Sequence, residues 1–280
     1  MKVIRGGTYD EERAFYNLQN AKLIDVTFAG KKDGESALKE TRNVIVEGSS
    51  FSLRYPFWHA IGFSLNSSKM DEGCRAPLWY DKNGKISYTE IRGIKGLREC
   101  ERVDISYSDI VSDEFGWRSR YINMDSCSLA SVYAFFMGHD INIKKMNFEG
   151  KYSFQYINDM TIDDSTLKTK DAFWHSKNVT VKDSTIDGEY LAWYSEGLTL
   201  INCHIKGTQP FCYCKKLKLI NCTMENCDLA FEYSDVEADV KSRIVSIKNP
   251  RSGTIRCDEV GEIINKDSIY PVKAKVIINK

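Results

Sequence analysis

Three observations in the sequence predict an all-β fold, a single-stranded parallel β-helix of about twelve coils. First, the residues Ala21, Val44, Phe63, Gly84, Val103, Ile122, Ile141, Met160, Val179, Leu198, Leu217 and Val236 stack as anchors, 19 residues apart from Gly84 onward, and all five tryptophans lie five residues before an anchor. Second, the residue two after every anchor, from Leu23 to Ala238, is apolar, and so is the residue seven after each anchor from Phe28 to Met224. Third, turn residues recur in register: Asp164, Asp183, Asn202 and Asn221 four after an anchor, and Gly34, Gly93, Gly150, Gly188 and Gly207 ten before one. Period-two apolar pairs and abundant β-branched residues exclude a helical solenoid. Right-handed winding is the expectation, although 19 lies close to three hexapeptides, which keeps a left-handed helix open.

The elements follow in chain order within one domain, residues 1–280. Residues 1–13 precede the repeat and are expected to cap the open end, since a bare coil offers unpaired strand edges. Residues 14–243 carry the coils. In each, the anchor and its second successor point inward from one strand, because residues two apart share a face. A second strand follows with a small inward slot, as at Ser49, Ser68, Ser165, Ser184, Cys203 and Cys222, and then a large one. Asx residues between these strands tolerate left-handed backbone and mark a corner; the glycines mark another, and a third strand is expected to complete the coil. The spacings of 23 from Ala21 to Val44 and 21 from Phe63 to Gly84 are absorbed by loops at 30–35 and 70–73. Residues 244–280 leave the register and form the expected C-terminal cap.

Lysine and arginine number 39 and so do aspartate and glutamate, so no basic field points to nucleic acid. No apolar run reaches the length of a membrane span, and the N-terminal MKVIRGGTYDEERAF does not resemble a signal peptide. A cytoplasmic location without membrane partners is therefore expected. Nine cysteines, an odd number, fit reduced thiols better than a disulfide framework.

The residues six, five and four before each anchor form three adjoining columns. The first is Phe, Leu, Ala or Gly at all positions and reads as core. The second includes Lys39, Trp58, Trp79, Arg98, Trp117, Gln155, Trp174 and Trp193, and the third Glu40, His59, Tyr80, Glu99, Arg118, Tyr156, His175, Tyr194, Tyr213 and Glu232. Burying either mixed column would bury unpaired charge, which costs several kcal/mol. The expected solution is a bend with the Phe/Leu column inside, the tryptophans outside and the third column at its edge. The alternative is an internal aromatic stack. If outward, the face of Trp58, His59, Trp79, Tyr80, Trp117, Tyr156, Trp174, Trp193, Tyr194, Tyr213 and Glu232 suits an extended glycan, with rings as platforms and polar neighbours for hydroxyls.

Catalytic candidates are few. A glycosidase needs two carboxyl groups within about 10 Å, whereas Glu99 and Glu232 are seven coils apart, roughly 34 Å at strand spacing. Glu99 falls beside Arg98 and Arg118, with Asp113 and Glu114 in the next turn, and these three are the candidates for a lyase; a surface ion pair is the simpler explanation of them. His175, between Tyr156 and Tyr194 with Asp171 and Glu196 near in sequence, is a general-base candidate or a histidine of an aromatic ladder. Asp164 and Asp183 could hold Ca²⁺ but as turn residues need no metal. No other cofactor or metal is indicated, because Cys203 and Cys222 fall on core positions.

The segments RYPFWHA, CRAPLWY, SDEFGWRS, TKDAFWHSKN, GEYLAWYSE and GTQPFCYC, in this order, resemble an uncharacterised bacterial family, domain of unknown function 3737, grouped with the pectin-lyase-like right-handed β-helices. The resemblance runs from Gly6 to about Gly261 and implies right-handed winding and a bacterial source. It implies no reaction, and the NTD, DD and GHG series of polygalacturonases is absent. Two functions follow as expectations: a protein that binds an extended carbohydrate along the aromatic face, as a polysaccharide lyase or glycoside hydrolase, or a non-catalytic scaffold for a protein partner or a homodimer.

Overall fold

The computed structural model describes residues 1–279 and shows an all-β parallel solenoid of about 15 turns. Its chain divides into two compact units, Met1–Asn142 and the residues from Ile143 onward.

In the first unit a long sheet is built from Lys2–Arg5, Gln19–Ile24, Arg42–Glu47, Ile61–Asn66, Lys82–Ser87, Glu101–Ser106 and Arg120–Asp125, each parallel to the next. The pairing joins Ala21 to Val44, Val44 to Phe63, Phe63 to Gly84, Gly84 to Val103 and Val103 to Ile122, which is the anchor register read from the sequence. The second sheet has shorter strands, from Thr8–Tyr9 to Ser128–Ser131. In the second unit Met160 pairs with Val179 and Leu217 with Val236 in the same manner.

Two expectations are corrected. The stretches assigned to caps are themselves coils: Lys2–Arg5 pairs with Ala21 to Ile24, and Ser252–Ile264 and Lys275–Ile278 continue the ladder beyond Asp235–Lys248. That is why the turns number about 15 rather than about twelve. The N-terminal segment keeps the 19-residue step, Lys2 pairing with Ala21, but puts a lysine in the anchor slot; the C-terminal segments abandon the step, Val236 pairing with Gly253 and Thr254 with Lys275, and a search for apolar anchors 19 apart loses both. The third strand is also mostly absent. Apart from Phe57–Trp58 paired with Leu78–Trp79, the third side is a bend in which two residues per coil have positive φ, such as Phe173 at 60° and His175 at 55°, or Phe211 at 65° and Tyr213 at 60°.

That conformation costs roughly 1–2 kcal/mol for a residue with a side chain. It persists because it sends the first of the two residues inward and the second outward. Phe135, Phe154, Phe173, Phe211 and Phe231 have positive φ and are fully buried, and Phe154 stacks on Phe173 at 5.1 Å and Phe211 on Phe231 at 5.6 Å. The small inward slot of the second sheet has a hydrogen-bonding reason. Ser49 accepts from Val26 N at 3.1 Å and donates to Glu47 O at 2.9 Å, and Ser184 likewise serves Ser165 N and Lys182 O. Each hydroxyl thus satisfies an amide the corner leaves facing the core. All nine cysteines are buried and unpaired.

Candidate functional site

The bend lifts the tryptophan column out of the core to half-burial, in both units. In the first unit Lys39 Nζ lies 4.0 Å from the Trp58 ring, Trp58 stacks on Trp79 at 5.6 Å and 11°, and the Arg98 guanidinium sits 5.8 Å from Trp79 and 5.3 Å from Trp117. The mixture of cations and rings is therefore a cation–π stack along the column. Arg98 is further held by Glu114 at 3.1 Å and Glu99 at 3.6 Å.

The same column is stapled coil to coil. Trp117, Trp174 and Trp193 donate their indole N–H to Tyr133 O, Tyr190 O and Gln209 O at 2.7, 2.7 and 2.8 Å, and Gln155 Nε2 reaches Asp171 O at 2.8 Å by the same 16-residue step. Trp58 and Trp79 have buried indole nitrogens without a hydrogen-bond partner among the described residues. Because Trp174 and Trp193 face each other at 5.2 Å and 3°, as do Trp58 and Trp79, their stacked faces are taken and their edges point outward. A sugar therefore cannot lie between the rings of either pair.

The third column behaves differently in the two units. In the second, Tyr156, His175, Tyr194 and Tyr213 stack at 4.8, 5.0 and 4.6 Å with planes within 10°. No carboxylate hydrogen-bonds His175 among the described residues. Asp171 is largely buried, which pushes its carboxyl up, and Glu196 pairs with Lys216 at 2.9 Å. Glu232, at the far end of the column, is held by Lys248 at 3.0 Å.

In the first unit the column holds Glu40, His59, Tyr80, Glu99 and Arg118 on successive coils. Glu40 Oε1 lies 2.8 Å from His59 Nδ1, and Arg42 completes the group at 3.5 Å from the second carboxylate oxygen while donating to His59 O at 2.9 Å. The hydrogen bond from His59 holds the Glu40 carboxyl below the usual carboxylate range. An ionised carboxylate only accepts, so Nδ1 is the donor in this contact, and Nε2 is the ring nitrogen left free to exchange a proton with a bound molecule. The Tyr80 ring lies 5.3 Å from the imidazole. Beneath them, fully buried Asp81 accepts from Ala60 N at 2.7 Å and from Trp79 N at 3.1 Å, tying the residue after His59 to the residue before Tyr80; burial pushes this carboxyl well up. Arg118 is exposed and makes no ion pair among the described residues, so the expected Arg98–Glu99–Arg118 triad is not assembled. Sequence reading missed Glu40 and Arg42; the signal was present, since Glu40 and His59 are consecutive entries of one column.

Among the described residues no group of three or more His, Cys, Asp or Glu is arranged to hold a metal ion. Asp183 instead accepts from Asn202 Nδ2 at 2.8 Å and pairs with Lys182 at 3.2 Å. No helix among them is long and apolar enough to cross a membrane.

The family model described as "Protein of unknown function (DUF3737)" matches residues 2–278. The chain belongs to this family. Among solved structures, the family member is similar to the A-module of the mannuronan C-5 epimerase AlgE6 of Azotobacter vinelandii, at 10% identity and a TM-score of 0.44, covering 99% of this chain and 90% of that one. It is also similar to the periplasmic alginate epimerase AlgG, at 9% identity and a TM-score of 0.27, covering 99% and 76%. No curated protein matches the chain. Neither likeness bears on chemistry, which rests on this chain's own residues.

Proposed function

We propose that the protein acts on an acidic polysaccharide at the His59 bend of the first unit, cleaving it by β-elimination. The observation that carries this reading is the Glu40–His59 contact of 2.8 Å. It fixes the imidazole so that Nε2 is the basic nitrogen, the arrangement a general base requires. Tyr80, one coil on, supplies a hydroxyl that can protonate a departing sugar oxygen, and Lys39, which pairs with no carboxylate among the described residues, supplies positive charge to favour a uronate carboxylate over a neutral sugar. In that step His59 takes the proton α to the carboxylate, the electron pair forms a C4=C5 double bond, and the C4–O bond breaks with proton delivery from Tyr80. Hydrolysis is less well served, because the carboxylates of this bend, Glu40 and Glu99, are engaged with His59 and Arg98.

The test is incubation with polymannuronate, polyguluronate and polygalacturonate, following the ultraviolet absorbance of the unsaturated product. Turnover by the native chain on one of these polymers, abolished in His59→Gln and reduced in Tyr80→Phe, is the expected result. Absence of both binding and product across the panel would overturn the reading in favour of a non-catalytic scaffold.

A further inference from the structure

A second feature of the first unit lies at another corner, between the two sheets, four residues after each anchor. Successive coils place Asp25, Gly48, Ser67, Tyr88, Tyr107 and Ser126 there, with φ between 47° and 58° throughout. Small and Asx residues suit that conformation; a bulky aromatic ring does not, and its presence at a left-handed position is a local cost without an obvious structural return. Tyr88 and Tyr107 are 61% and 54% exposed, so they contribute little to the core. Among the described residues they stack on each other alone, at 5.1 Å and 7°.

The contrast with the tryptophan column is the flanking residue. Backbone bonds from Ser67 N to Ser87 O, from Tyr88 N to Ser106 O and from Tyr107 N to Asp125 O keep this corner in register from coil to coil. The pair is therefore bounded by Ser67 on one side and Ser126 on the other, neither large enough to cover a ring. One face of each tyrosine is left bare. The surroundings are polar: Ser87 Oγ donates to Asn66 Oδ1 at 2.9 Å, and Ser126 Oγ donates to Asp125 Oδ1 at 2.8 Å. An apolar side chain seated on these faces would desolvate those groups without pairing them, whereas a sugar offers a C–H face to the ring and hydroxyls to its neighbours.

We propose that Tyr88 and Tyr107 form a saccharide-binding subsite distinct from the His59 bend, taking a pyranose ring on the outer face of each tyrosine. The site needs no catalytic group and serves to hold an oligosaccharide on the protein.

The experiment compares the native chain with Tyr88→Asn/Tyr107→Asn, asparagine being a residue this backbone favours. Hexasaccharides of glucose, mannose, N-acetylglucosamine, galacturonate and mannuronate are titrated while the tyrosine ring resonances are followed by NMR, with each single variant assigning its own ring. The expected result is saturable perturbation of both rings by at least one sugar, affinity weakened about tenfold or more in the double variant, and a melting temperature unchanged or raised. His59→Gln should leave this binding intact, which separates the subsite from the elimination reading. The proposal is overturned if no sugar perturbs the rings, if the double variant binds as tightly, or if the pair instead supports concentration-dependent self-association that the double variant loses.

Discussion

His59 and His175 occupy the same slot of the repeat, four residues before an anchor, on nearly the same backbone, φ 57° and 55°. One has a carboxylate at 2.8 Å on its Nδ1; the other lies between two tyrosine rings at 4.8 and 5.0 Å. The repeat therefore dictates where a side chain points, and the residue one coil away decides what it does. A carboxylate neighbour polarises the imidazole and selects a tautomer, while ring neighbours cover its faces and make it one rung of a stack. The first unit mixes charges and rings at its bend; the second is close to a uniform aromatic ladder.

The widest separation between the two histidines should be in activity. His59→Gln is expected to lower turnover on an acidic polymer by about 10²-fold or more, the scale of a lost general base, while His175→Gln leaves it within a factor of two or so; equal losses in steady-state assays would erase the contrast. A second difference lies in the core. Gly84 sits under Phe63, where an added Cβ would come within 2.2 Å of the ring. Gly84→Ala should destabilise the protein by about 1–3 kcal/mol through overpacking, measured by chemical denaturation, and a neutral result would mean that the ring has room to move.

The tryptophans divide the same way at a smaller scale. Trp174→Phe removes an indole N–H donated to Tyr190 O and should cost about 1 kcal/mol. Trp58→Phe removes a buried N–H that has no partner and should be neutral or stabilising in the same melts. The smallest expected effect is electrostatic. Because Glu40 is held below its ordinary value of 4.5, chiefly by the bond from His59, its stabilisation is complete above that pH and fades as the pH falls through the lowered value. The melting temperature of the native chain should thus approach that of Glu40→Gln only on acidification below about pH 4.5; convergence at neutral pH instead would dissociate Glu40 from His59.

How much of this was legible in the sequence depends on the kind of periodicity. The anchor register was legible to the residue within each unit, since Ala21 through Ile122 in the first, and Met160 with Val179 and Leu217 with Val236 in the second, pair as the 19-residue alignment stacks them. The direction of the tryptophans was not: Lys39 and Arg98 among them favoured an outward turn, but an internal aromatic stack stayed open on the sequence alone. Nor were the extra coils: Lys2 keeps the 19-residue step to Ala21 but is a lysine in the anchor slot, and after Asp235–Lys248 the spacing itself departs from 19, while backbone pairing, which is indifferent to side chains, continues at both ends. Ring orientation was also invisible: nothing in the column told that Trp174 and Trp193 stack face to face at 3° and close the faces between them. Glu40 with His59, and Tyr88 with Tyr107, were readable in principle as neighbours in a column, but only a stacked register turns residues 19 apart into contacts.

The most direct test of the central contrast is the tautomeric state of the two imidazoles, read from long-range proton–nitrogen correlations at neutral pH. For His59 the account predicts a protonated Nδ1 and an unprotonated Nε2, a state lost in Glu40→Gln, with the His175 signals unmoved by that substitution. An Nε2-protonated His59, or a His59 pattern indifferent to Glu40, would contradict it.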